Sequence, residues 1–98
     1  MTTEEETSSK LCMISVGIPD HMHEGLVNYI HHHKRPGDFM VAVLSNDLKE
    51  AVARADEHNI NALKAWGTFL YMYAPAGCWG SPARAKHWLE HKPKGEQV

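Results

Sequence analysis

Cysteine is scarce in this chain, positive charge is not in surplus, and no apolar stretch is long. Cys12 and Cys78 are the only two cysteines among 98 residues. They can close at most one bridge, and they lack the paired spacing that marks a structural zinc module. Ten Lys and Arg stand against twelve Asp and Glu, a formal charge of −2. A dedicated nucleic-acid binder needs a cationic surplus to neutralise phosphates, so that class is disfavoured. No apolar run approaches the roughly 20 residues of a membrane-spanning helix. The first residues, MTTEEETSS, are acidic where a signal peptide is basic and then apolar. The expectation is a cytoplasmic protein with both thiols free. There is no internal repeat and no sustained heptad pattern, and the length suits one domain without a deep, enclosed reaction chamber.

Histidine and large aromatics are what the chain has. Eight histidines titrate near pH 6.5, so mild acidification carries the net charge from slightly negative to positive. The set Trp66, Phe69, Leu70, Tyr71, Met72, Tyr73, Trp79 and Trp88 is dense for so small a protein. A helix apolar around most of its circumference, as over Trp66 to Tyr73, needs cover on more than one side. Its uncovered part suits a partner protein or a second copy of the chain, a homodimer.

The periodicity predicts an all-α fold: a small single-domain bundle of four to five helices with an irregular N-terminal segment. Residues 1–17 read as a flexible acidic tail followed by an apolar strap, LCMISVGI. Residues 18–92 form the helical domain, and 93–98 are loose. A first helix carries Met22, Leu26, Tyr29, Ile30 and His33 on one face, with Asp20 as its cap. Arg35-Pro36-Gly37 ends it, and Asp38 caps a short helix with Phe39, Val43 and Leu44. Ser45 or Asn46 opens the next helix, which reaches Tyr73 either whole or broken at Asp56-Glu57-His58-Asn59, where side chains compete for backbone bonds. Pro75 and Gly77 stop it. Ser81 then caps a last helix with Pro82 in its first turn, running to about His91 with Ala85, Trp88 and Leu89 inward.

Several constellations invite chemistry. His87-Trp88-Leu89-Glu90-His91 fits the H-x-x-E-H pattern of inverted zinc peptidases, with two histidines four apart and a glutamate as base. A zinc-dependent hydrolase through His87, Glu90 and His91 is therefore one reading. The chain is short for such an enzyme, and the solvated face of the last helix is the plainer one, so no metal and no cofactor is expected. His21 and His23, and the run His31, His32 and His33, attract a metal reading as well. Three consecutive helical residues point about 100 degrees apart and cannot share one ion. Cys78 lies before a helix N-terminus that would lower a thiol pKa, yet a small buried cysteine packed beside Trp79 fits better. Lys34, Arg35, Arg84, Lys86, Lys92 and Lys94 make a locally basic set. A nucleic-acid-binding regulator using the last helix is an alternative that these residues keep open.

Pro36, Gly37 and Phe39, then Ala42 to Leu48 (AVLSNDL), Ala55-Asp56, Cys78 to Pro82 (CWGSP) and Trp88 form a pattern. By it, residues 18 to 90 resemble a group of small proteins encoded in bacteriophages and prophages. The resemblance implies a genetic setting and carries no catalytic residues. By analogy with other phage accessory products, it implies a non-enzymatic protein that binds and inhibits or modulates a host protein or a bacterial defence complex. The exposed residues expected to carry such binding are Lys34, Arg35, Asp38, Trp79, Arg84 and Lys86.

Overall fold

Helix stops set the architecture. The structure, a computed structural model, describes residues 3–91, and the expected all-α class is what these residues adopt. Seven helices follow in order: α1 (Thr3–Val16), α2 (His23–His32), α3 (Asp38–Leu44), α4 (Leu48–Arg54), α5 (Glu57–Asn61), α6 (Leu63–Met72) and α7 (Pro82–Glu90). Two 3-10 turns, Asp20–Met22 and Ala76–Cys78, join them, and there is no strand among the described residues.

The N-terminal segment corrects the sequence reading. Where a flexible tail and a strap are expected, α1 runs from Thr3, with Glu4, Glu5 and Glu6 in its first turn, where the helix dipole favours negative charge. Met13 is fully buried, and Cys12 and Val16 pack against the core. Those three positions, spaced by one, three and four, form a narrow helical stripe. Gly17 ends the helix with φ of +97°. Its N–H and that of Ile18 return to the carbonyls of Ile14 and Met13 at 3.2 and 3.0 Å, the paired bonds of a Schellman stop.

The middle of the chain is more broken than the periodicity suggests. Asn46, expected as a possible cap, instead closes α3 in the left-handed region at φ +61°. Asp47 does the capping of α4, accepting the Glu50 N–H. Ala55 and Asp56 are extended, and the Asp56 carboxylate caps α5 by accepting the N–H of Asn59. A further break at Ala62 separates α5 from α6. Asp38 is the first residue of α3 and makes no side-chain cap bond, nor does Asp20 cap its turn. The Ser81 cap and Pro82 start of α7 are as the sequence predicts, with Ser81 Oγ accepting the Arg84 N–H at 3.1 Å. The loose residues expected at 93–98, with Lys92 and Lys94, lie outside the described residues.

One core is shared by all of this. Leu26 and Tyr29 of α2, Leu44 of α3, Trp66 and Phe69 of α6 and Cys78 are all buried, and Phe39 meets Trp66 edge to face at 5.5 Å. Two of the large side chains in it pair their polar atoms there. The Tyr29 hydroxyl donates to the Cys78 carbonyl at 2.7 Å, and Trp66 Nε1 donates to Asn59 Oδ1 at 3.0 Å. A second set clamps α7 onto α2: Trp88 Nε1 donates to the Tyr29 carbonyl at 2.8 Å, His33 Nδ1 donates to the Trp88 carbonyl at 2.6 Å, and the two rings stack.

Candidate functional site

The three helices cut from the expected long one leave a groove between α4 and α6. Leu48 and Ala51 form one wall; Leu63, Gly67 and Leu70 form the other; Val43, Trp66 and Trp79 lie along it. The cavity measures about 180 Å³, comparable to apolar cavities of about 150 Å³ that accommodate benzene. Asn46 and Asp47 supply polar groups at one end.

Its walls expose apolar surface that the bundle does not cover. Leu48 is 70% exposed and Val52, one turn on, is 45% exposed. Along α6, Leu63, Gly67 and Tyr71 form a single i, i+4 row; the first two line the cavity, and Tyr71 is 80% exposed. Gly67 stands mid-helix, where glycine is unfavourable by roughly 0.5–1 kcal/mol relative to alanine. A Cβ at that position would meet nothing within 4 Å. The missing side chain thus leaves bare backbone in an apolar groove.

The six residues expected to carry binding lie on different elements. Trp79 alone lines the groove, and it is half-buried. Arg35 and Asp38 pair at 3.7 Å, and Asp38 also meets Arg54 at 3.5 Å, itself bonded to Glu50 at 2.7 Å. This exposed ion network ties the start of α3 to α4. Lys34 is exposed in the same loop. Arg84 and Lys86 are exposed on α7, with the Arg84 side chain lying against Gly80. The left-handed φ of +116° at Gly80 explains the glycine of the CWGSP turn. Leu48 and Gly67 are residues the sequence reading passed over as site candidates, whereas Tyr71 belongs to the aromatic set whose uncovered part is expected to suit a partner. A glycine interrupting an aromatic helix was the signal available for them.

The reactive candidates fall differently. Cys78 is fully buried, and burial pushes its thiol up to about 12, so it stays protonated and is no nucleophile at neutral pH. His87 and His91 stack at 3.7 Å between ring centroids, and His91 Nδ1 donates to the His87 carbonyl at 2.8 Å. One of the nitrogens a shared metal could use is thereby committed to backbone. No helix among the described residues is long and apolar enough to cross a membrane.

No protein-family model, no curated protein and no solved structure matches the chain.

Proposed function

We propose that this chain is a non-catalytic binding protein, a phage-encoded accessory product that inhibits or modulates a host protein or a bacterial defence complex in the cytoplasm. The observation that carries the reading is the α4–α6 groove, with glycine backbone in its wall and exposed Leu48 at its edge, and with exposed Val52 and Tyr71 one turn further along α4 and α6 from the lining residues Leu48 and Gly67. A groove of this size takes one large apolar side chain. The occupant is a partner helix that anchors such a residue beside Gly67, with neighbouring apolar positions on the rims, the helix-in-groove mode of recognition. Hot spots of this kind are central, apolar and desolvated, so the complex should tolerate salt. The resemblance to small phage proteins supplies the genetic setting.

The test is differential capture from bacterial lysate at low and high salt, comparing the wild-type chain with Gly67→Leu and Tyr71→Ala. A host protein retained by the wild type at high salt and lost from both variants supports the proposal. Capture indifferent to both substitutions refutes it. Duplex binding that weakens steeply with salt would instead favour a regulator working through Arg84 and Lys86. Self-association abolished by Gly67→Leu would make the occupant a second copy.

A further inference from the structure

Asp47 borders two hollows at once. Among the residues that line the α4–α6 groove it alone is charged, and it also lines a second, open hollow between α3 and α4, whose other charged residues are Asp38, Glu50 and Arg54. The helix period explains the division, since Leu48 and Ala51 share one face of α4 while Glu50 and Arg54 share another. In the second hollow three carboxylates stand against one guanidinium. Arg54 is already engaged with two of them, meeting Glu50 Oε1 at 2.7 Å and Asp38 Oδ2 at 3.5 Å, and Arg35 meets the other Asp38 oxygen at 3.7 Å. Asp47 is different. Its Oδ1 accepts the Glu50 N–H at 3.2 Å, and among the described residues no cation pairs with it. Lys49 and Lys64, the remaining cations of α4 and α6, line neither hollow.

Taking the groove as the docking site proposed above, we infer that its occupant is a basic amphipathic helix of a partner protein, with an apolar anchor beside Gly67 and a lysine or arginine about one turn away that pairs with Asp47. Asp47 and Gly67 line the same cavity, and helix positions three or four apart hold their side chains about 5–6 Å from each other, so one helix supplies both groups. A long aliphatic stem lies along the exposed Leu48 while its charged head reaches the carboxylate. A glutamate at that position meets Asp47 instead, with Asp38 and Glu50 beyond it and only Arg54 to offset them, and such like-charge contact is what rejects a wrong partner. An exposed ion pair adds little to affinity and is screened by salt. The anchor therefore holds the complex, and Asp47 selects which helices enter the groove.

The probe is a displayed library of helices of about 16 residues, apolar at i, i+3, i+4 and i+7, with lysine, glutamine or glutamate free at the flanking positions. It is selected on the full chain and counter-selected on Gly67→Leu. Peptides held by the wild type and released by Gly67→Leu are expected to share lysine at one flanking position. Their Kd, read by fluorescence anisotropy, should rise about threefold in Asp47→Asn at low salt, and the difference should vanish at about 0.5 M salt. Exchanging the selected lysine for glutamate should weaken binding to the wild type by about fivefold and to Asp47→Asn by less. Asparagine keeps the cap of α4, and circular dichroism confirms that both variants fold. Peptides that need Gly67 yet show no preference among the three flanking residues, or that bind Asp47→Asn as tightly as the wild type, overturn the inference and leave the groove as a docking site. A library that yields no peptide sensitive to Gly67→Leu overturns both.

Discussion

Asn59 is 2% exposed, and its side-chain Oδ1 accepts the indole N–H of Trp66 at 3.0 Å. Its backbone N–H is taken by Asp56, so one residue both completes the α5 cap and satisfies the largest buried side chain. Removing the amide strands the indole donor in a dry interior, for which about 2 kcal/mol of destabilisation is expected. Urea denaturation of Asn59→Ala, Trp66→Phe and the double variant checks this. The double variant should lose less than the sum of the singles, because phenylalanine has no donor to leave unpaired. Strict additivity would refute the pairing. At this scale the sequence is half legible. Asn59 falls on the inward face of the apolar periodicity, but a buried amide makes sense only once Trp66 is placed seven residues later in a different helix. The buried Cys78 beside Trp79 was readable from composition and spacing alone. Gly67 was readable only as an oddity, since whether a glycine opens a groove or merely relieves crowding depends on what packs opposite.

Among the elements, α1 is held to the end of α2 through two histidines. Ser9 Oγ and His31 Nε2 are 2.7 Å apart, and His32 Nε2 is 2.7 Å from Glu6 Oε1. His31 Nδ1 is buried with no hydrogen-bond partner. Burial holds the His31 pKa below its ordinary 6.5, against the opposing pull of Glu6 and Glu5 from α1, while His32 beside it pushes the same way as burial. A histidine whose folded pKa is depressed contributes stability that is complete above the unfolded value and lost as pH falls below 6.5. Glu6 is held below its ordinary range chiefly by the hydrogen bond from His32, so its contribution persists until far more acidic conditions. The expected result is a lower denaturation midpoint at pH 5.5 than at pH 7.5, with faster amide exchange in α1. His31→Phe should shrink that difference, and an equal difference in this variant would refute the assignment. This helix escaped the sequence reading for a physical reason. Its buried stripe is only Cys12, Met13 and Val16, and its outer face shows Leu11 and Ile14, so its apolar residues look like one continuous run. The start of α7 was legible because a hydroxyl followed by an imide has few other uses.

Taken whole, the molecule is closed by contacts that join the last third of the chain to the first. Trp88 of α7 bonds to the Tyr29 carbonyl and stacks on His33, whose left-handed backbone at φ +55° ends α2. Tyr29 in turn donates to Cys78, and the N–H of Gly80 donates to the Leu44 carbonyl at 2.8 Å. These links make α2, α3 and α7 mutually dependent, and a domain of this size is expected to unfold in one transition. Trp88→Leu removes the indole donor and the stacking partner while keeping apolar volume. It leaves the Tyr29 carbonyl without that bond and exposes the strain stored at His33. A loss of about 2–3 kcal/mol is expected. Because the clamp belongs to the whole fold, helix content by circular dichroism and the fluorescence of Trp66 and Trp79 should shift together to the same lower urea midpoint. If α7 were an appendage, the substitution would melt it alone, and the circular dichroism would fall in an early step while the fluorescence of the buried Trp66 kept its original midpoint. Coincident curves would tie the α4–α6 groove to the clamp across the molecule, since Trp79, in the groove, lies between Cys78 and Gly80 and is held by bonds on both sides.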